Sequence, residues 1–491
     1  MTEENTKIKS PSKKNNREFL FSLVFSVASA VLGFVFSFLA AKFLESDRYG
    51  QTQYYVSIAN ILLVFLLFGS RNRIIRGIQF AENKKAEISR YYILILITSA
   101  IILPFYFIIA YFLLNKLGQN ILLISCIYVL AILLAFAELV YSFFIGLNHN
   151  ELKPLFAGIY VHTFFLILFG AHYFTNSLQN FVDWYIYYYI AGMLVFVVPV
   201  LVISFRKTKF KFSKSELVSQ LIFCATYICY NIKTTLGNVI VGEAYEGFSI
   251  VGIISISTQI IAAAGLVSGI ITFMAMPVFS KLHAMGEQEK MFKMFDMVTR
   301  LTCYINIPFF MAFAVEAHGV LALFGASYMG YDLTMTLLSI SALVDCLTGP
   351  CQSILIMSGN ERYDLYAALA QFAAYLITIA VLLNVTVYAI PIASLVAMVT
   401  ANVIKMILTS IKFHHNFFSW RVWLPALVIA VISFGAFFGL SFIDNWVLWL
   451  ILNCIVGASL ILGCIFLSPF QKDKHFLWAR KDNFDAYLWL G

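Results

Sequence analysis

Apolar runs of about twenty residues recur along this chain from end to end. Each is long enough to cross the roughly 30 Å hydrocarbon core of a bilayer as one helix. About fourteen can be placed, centred near residues 31, 62, 103, 133, 165, 195, 229, 264, 305, 343, 375, 401, 433 and 457. A backbone in hydrocarbon must satisfy its own hydrogen bonds, so the pattern predicts an all-α membrane protein. The first run follows a basic tail and is too long for a signal-peptide core, so it is read as a retained span.

Polar positions inside these runs mark where chemistry can sit. The second run, from Gln53 to Lys85, takes in Arg71, Arg73 and Arg76 before its helical pattern stops. At about 100° per residue, Gln53, Ser57, Asn60 and Arg71 share one stripe within roughly 60°, which needs an interior or a water-filled cavity to face. Arg73 and Arg76 lie on the opposite side and read as anchors in the headgroup layer. In the seventh run Lys233 is the deepest cation, with Thr226, Tyr230 and Gly237 on its face, and mid-span depth makes snorkelling difficult. The tenth run carries Thr334, Ser341, Asp345, Thr348 and Gln352 on one stripe, interrupted by Leu338. Three roles fit Asp345: glycan acceptor, cation-coupling carboxylate, or member of an interhelical hydrogen-bond strip. Glu138, with Tyr141 and Ser142 nearby, is either protonated and packed or paired with a cation such as Arg71. The bland readings go to Arg300 as an interfacial anchor, Lys405 as a snorkelling cation and His162 as a core histidine.

Composition sharpens the class. Of 491 residues, 61% are hydrophobic and 12% charged, about half the charge of a soluble domain. About 27 of the 33 Lys and Arg fall on the side of the amino terminus, which places both termini in the cytoplasm. The net charge of +8 is thus an orientation signal and gives no reason to invoke nucleic acid. The eight cysteines lie within predicted spans without metal spacing and read as packing residues. No nucleotide, metal or nucleophile motif is present, so neither an enzyme nor a cofactor is expected. A coupling ion, H+ or Na+, stays open.

The plan of the chain then repeats. Tyr49-Gly50 corresponds to Val251-Gly252, Ser89-Arg90 to Thr299-Arg300, and Asn150-Glu151 to Asn360-Glu361, all in order and at similar offsets. Repeats separated by an even number of spans keep one orientation, so this is a parallel duplication of six helices. The boundaries are a basic tail at 1–18, a first lobe at 19–205, a basic linker at 206–216 and a second lobe at 217–411. Two further spans at 412–468 and a tail at 469–491 follow.

Several segments carry a family resemblance: AKFLESDRYGQTQYYVSIANI, FGSRNRIIRGIQ, VGIISISTQI, FMAMPVFSKLHAMGEQEKM and LFGASYMGYDLTMTLLSISAL. With these the chain resembles the Wzx-type O-antigen flippases, the polysaccharide branch of the multidrug/oligosaccharidyl-lipid/polysaccharide exporter superfamily. The resemblance implies two six-helix lobes around a central cavity, in the bacterial cytoplasmic membrane. The implied cargo is a polyprenyl (undecaprenyl) pyrophosphate-linked oligosaccharide, with membrane lipid, a polysaccharide polymerase and a chain-length regulator as partners. On that reading Arg71 and Lys233 form a cationic cavity site for the pyrophosphate. Asp345 and Glu138 join them in substrate binding, and Gln53, Ser57, Asn60, Tyr230, Ser341, Thr348 and Gln352 form the cavity stripe. At the 202-residue offset Phe273, Ala275 and Val278 stand where the first repeat has its arginines, so a cationic site leans towards the first lobe. Alternatives are a lipid II flippase or a drug exporter of the same superfamily. A membrane glycosyltransferase or polymerase fits less well, because every loop on the far side is short.

Overall fold

The computed structural model describes residues 13–78, 83–114, 118, 120–147, 149, 151–206, 208, 214–414, 420–443 and 445–467. The tail at 469–491, most of the tail at 1–18 and part of the basic linker lie outside them, as do the side chains of Arg76 and Lys233. Among the described residues there is helix and no strand.

α1 spans Lys13–Leu67, but at Glu45 the backbone leaves helical geometry (φ 62°, ψ 170°), so it consists of two limbs that fill the first two predicted places. The second limb stops short of the arginines. Phe68 (φ 42°) and Gly69 (φ 72°) are both left-handed, and α2, Ser70–Gly77, restarts beyond them. Glycine is needed at 69 twice over. It takes the positive φ, and a Cβ there would sit 2.3 Å from the Gln220 carbonyl oxygen. The single helical phase expected from Gln53 to Arg76 is therefore broken, and Arg71 does not continue the Gln53–Ser57–Asn60 face.

The first lobe continues with α3 (Lys84–Leu113), capped by the Asn83 side chain on Ala86 N at 3.1 Å, and α4 (Ile121–Gly146), capped by Asn120. A π-helical turn at Pro154–Tyr160 leads into α5 (Val161–Phe174), followed by α6 (Leu178–Ser204). The second lobe comprises α7 (Lys214–Ala244), α8 (Ser249–Ala284), α9 (Gln288–Val315), the short α10 (Ala317–Ala322), α11 (Asp332–Thr348), α12 (Cys351–Met357), α13 (Glu361–Leu382) and α14 (Ala389–Phe413). α11 and α12 are set at 49° to each other across the break at Gly349-Pro350. α15 (Trp420–Leu440) and α16 (Trp446–Leu467) pack on α9, and Trp449 Nε1 donates to the buried Glu316 at 3.0 Å.

By length and composition, eleven helices among the described residues can cross a membrane, or twelve with the bent pair counted as one span. α1 counts once there although it has two limbs, and α7 stands at the seventh predicted place. A helix or limb thus occupies each of the fourteen places read from the sequence.

The loops divide the molecule into an acidic end, with Glu45, Asp47, Glu243 and Glu246, and a basic end, with Arg73, Lys84, Lys281 and Lys290. At the acidic end the lobes share one apolar core, which runs from the first lobe into Val251–Ile260, Tyr328 and Ile390. Towards the basic end the second lobe has a core of its own, built on Ile271, Phe279, Phe295, Leu301 and Ile354. The repeat-related glycines meet at the shared core. A Cβ on Gly50 would lie 2.0 Å from the Phe248 carbonyl oxygen, and one on Gly252 would lie 2.1 Å from that of Ser46. Small residues let α1 and α8 approach to backbone contact.

Candidate functional site

A cavity of about 720 Å³ opens between the second limb of α1 and the helices of the second lobe, within the roughly 300–1,000 Å³ range of small-molecule sites. Its wall interleaves hydroxyls and amides with apolar side chains. The first lobe contributes Gln53, Ser57 and Asn60, the stripe whose spacing required an interior to face. Asn238 of α7 ties the two walls together, donating to Ser57 Oγ at 3.0 Å and Ser255 Oγ at 3.2 Å.

From the tenth predicted span, Ser341, Asp345 and Gln352 line the cavity, and Leu338 lines it with them. Asp345 is exposed there and accepts from Asn402 Nδ2 at 3.2 Å. Thr348 and Tyr230 belong to the same stripes but stand behind the lining. Thr348 is buried, its hydroxyl turned back on the Asp345 carbonyl at 2.8 Å. Tyr230 donates to Asp364 Oδ1 at 2.7 Å, and Gln352 Nε2 reaches the other oxygen of that carboxylate at 3.3 Å.

Lys405 corrects the sequence reading. It does not snorkel; it is 7% exposed, lines the cavity, and holds its ammonium 4.8 Å from the Tyr230 ring centroid. Arg300, expected at the interface, is also buried. Asp364 was missed because it sits only three residues into α13, where a carboxylate reads as a solvated first turn. Only the packing of α13 against α7 puts it 2% exposed beneath Tyr230.

Arg71 and Glu138 are elsewhere. Neither lines this cavity; they meet each other at the basic end of the first lobe, with Arg71 Nε 3.1 Å from Glu138 Oε1. Of the two readings left open for Glu138, pairing is the one observed. A third member, Lys153, was not singled out in the sequence. Its ammonium lies 3.0 Å from Oε1 and 3.4 Å from Oε2 of the same carboxylate. Arg71 also lies over the Tyr227 ring of α7, at 5.9 Å to its centroid, and Lys153 stands 6.0 Å from that of Tyr141. The signal available for Lys153 was its place just before Pro154, where the π-helical turn begins.

Arg73, expected as a headgroup anchor, instead pairs with Glu216 of α7 at 3.2 Å, and Arg90 reaches the second oxygen of Glu216 at 3.5 Å. The described cysteines are all free thiols, and among the described residues no three His, Cys, Asp or Glu side chains converge as a metal site.

With this geometry in view, a family model described as "Polysaccharide biosynthesis protein" matches residues 16–283, more than half of the chain. A search of curated proteins finds no match. Among solved structures, the lipid II flippase MurJ in an inward closed conformation superposes with a TM-score of 0.65 at 15% identity, covering 91% of this chain and 98% of that one. An inward-facing multidrug resistance MATE family transporter of the MOP superfamily gives 0.61 at 12% identity, over 80% and 98%. A MOP superfamily transporter from Pyrococcus furiosus gives 0.56 at 12% identity, over 83% and 99%. At these identities the likeness is one of fold.

Proposed function

Because the chain belongs to the polysaccharide biosynthesis protein family, we propose that it is a flippase for a lipid-linked oligosaccharide in a bacterial cytoplasmic membrane. It moves a polyprenyl diphosphate-linked repeat unit of a surface polysaccharide such as O-antigen from the inner to the outer leaflet. The basic end faces the cytoplasm, where lysine and arginine are retained. The polymerase and chain-length regulator that extend such units act on the delivered product.

One observation carries this reading: the cavity shared by both lobes presents many hydroxyls and amides between its apolar side chains, from Gln53, Ser57 and Asn60 to Asn238 and Ser341. Such a wall exchanges hydrogen bonds with sugar hydroxyls as readily as water does, which lets a glycan leave water with little loss. The Lys405 ammonium on the same wall counts against an organic cation as cargo. Asp345, held by Asn402, and Lys405 add one charge of each sign to that wall. The polyprenyl tail stays in hydrocarbon while the head crosses, and rocking of the lobes about the shared core at the acidic end exchanges access.

Proteoliposomes carrying the purified protein test this with three fluorescent cargoes: a polyprenyl diphosphate oligosaccharide, lipid II, and a cationic dye. Exposure of the first alone to an external reagent is expected. Transport of lipid II or the dye with no movement of the oligosaccharide would assign the protein to another branch.

A further inference from the structure

Two of the free thiols stand against each other in the core of the second lobe. Cys346 Sγ donates to Cys303 Sγ at 3.8 Å, and Cys303 Sγ donates to the Cys346 carbonyl oxygen at 3.7 Å. Cys303, on α9, is 1% exposed, whereas Cys346, on α11, is 8% exposed and lines the cavity. A small reagent in the cavity therefore meets one sulfur first and finds the second beside it. A disulfide holds its sulfurs about 2.05 Å apart, and rotation about the two Cα–Cβ bonds is the motion that brings them together. The place of the pair gives such a bond a consequence. Cys346 stands just before Gly349, where α11 breaks from α12, and Gly349, Pro350 and Gln352 line the cavity with it. Thr299, one turn before Cys303 on α9, already abuts that break: a Cβ on Gly349 (φ 62°) would lie 2.0 Å from its Oγ1. A bond between the two sulfurs would fasten α9 to the break at a second point.

We infer that Cys303 and Cys346 form a site of reversible oxidation by small-molecule disulfides, and that the cross-link arrests transport by fixing the angle between α11 and α12. The Cys346 thiolate attacks one sulfur of the reagent, forming a mixed disulfide on Cys346, and the first half of the reagent leaves as a thiol with the proton Cys346 gave up. The Cys303 thiolate then attacks Cys346 Sγ. The new bond joins the two cysteines, and the second half of the reagent leaves as a thiol with the proton from Cys303. The cysteines lose two electrons in all, and the reagent disulfide gains them. In a reducing cytoplasm, which the basic end faces on the proposed reading, small thiols run the same exchange backwards and keep the pair open. The arrest of transport rests on the proposed flippase reading; the cross-link is a property of these two side chains.

The test treats the full-length protein in proteoliposomes with dithiodipyridine, a small disulfide that releases an absorbing thiopyridone at each exchange. Peptide mass spectrometry should find Cys303 joined to Cys346 with no reagent retained on either. Transport of the oligosaccharide should fall about tenfold and return with dithiothreitol. Cys303→Ser should keep the reagent on Cys346 as a stable adduct, because the resolving thiol is gone. Cys346→Ser should lose no transport on treatment. Cys351→Ser, which removes the thiol that bonds the Thr348 carbonyl at 3.2 Å beyond the break, should cross-link as the wild type does. No reaction at Cys346 in the wild type, or an adduct that stays there, overturns the site. A complete cross-link with undiminished transport, or equal loss of transport in Cys346→Ser, overturns the arrest. A protein that forms the cross-link yet moves none of the three cargoes before treatment would retain this site and lose the flippase reading.

Discussion

The two ends of the contact between the lobes are built from different chemistry. At the acidic end α1 and α8 meet backbone to backbone at Gly50 and Gly252, inside a continuous apolar core. Hydrogen bonds close the seam: Ser46 N to Ser327 Oγ at 3.1 Å, Phe248 N to Asp47 Oδ1 at 2.5 Å, and the Tyr54 hydroxyl to Glu243. At the basic end the cores are separate. The first lobe meets α7 there through Gly69 against Gln220 and through Arg73 and Arg90 on Glu216. A partly exposed ion pair such as Arg73–Glu216, 34% and 22% exposed, contributes about 0–1 kcal/mol because water replaces it cheaply, whereas opening a packed apolar seam forfeits roughly 25 cal/mol per Å² exposed. The acidic end therefore holds this conformation shut, and the basic end is the one that yields.

The largest expected effect comes from the seam. Gly50→Val places methyl groups where the Phe248 carbonyl already stands, so the acidic end cannot close. Surface-glycan display in cells lacking the native protein should fall about a hundredfold at equal membrane abundance. Display at half the wild-type level or more would show that the glycine contact is incidental.

Next is the first-lobe cluster at the opposite end. Arg71→Ala should lower display about tenfold or more, and Arg71→Lys should fall between it and wild type, because lysine keeps the charge and loses the fork. Equal activity of the alanine variant and wild type would break the link between the basic end and transport.

Accessibility sharpens the comparison without touching charge. In a cysteine-free background, thiols at Ser341 and Gln352, on the cavity wall, should react about tenfold faster with a small polar reagent than thiols at Leu343 and Leu347, which pack on the second-lobe core. Reagent added from the cytoplasmic side should act before reagent added outside. Equal rates from both sides would contradict a closed acidic end.

A smaller change is expected for Lys405→Met, which removes the ammonium beside Tyr230 and keeps most of the volume: about a threefold loss of transport, with the protein still folded. The smallest is Arg73→Lys. The pair with Glu216 is partly exposed and lysine can re-form it, so display should stay within about twofold of wild type.

Much was legible in the chain because the bilayer imposes a length and a polarity on every span. The helices at all fourteen places and the Gln53–Ser57–Asn60 and Ser341–Asp345 faces follow from spacing, since helical phase is a local property, and the matched dipeptides of the repeat pair Gly50 with Gly252. Phase holds only while the helix does. Two left-handed residues at Phe68 and Gly69 reset it, and Arg71 turns from the predicted stripe to Glu138. No periodicity in the sequence announces that break, because the reason for it is the close approach of α7 at Gln220. The burial of Lys405 and Asp364 is likewise decided by neighbours 175 and 134 residues away, the distances from each to Tyr230 along the chain. The cost of a charge in hydrocarbon limits where it can stand, and only the assembled lobes decide which partner meets it there.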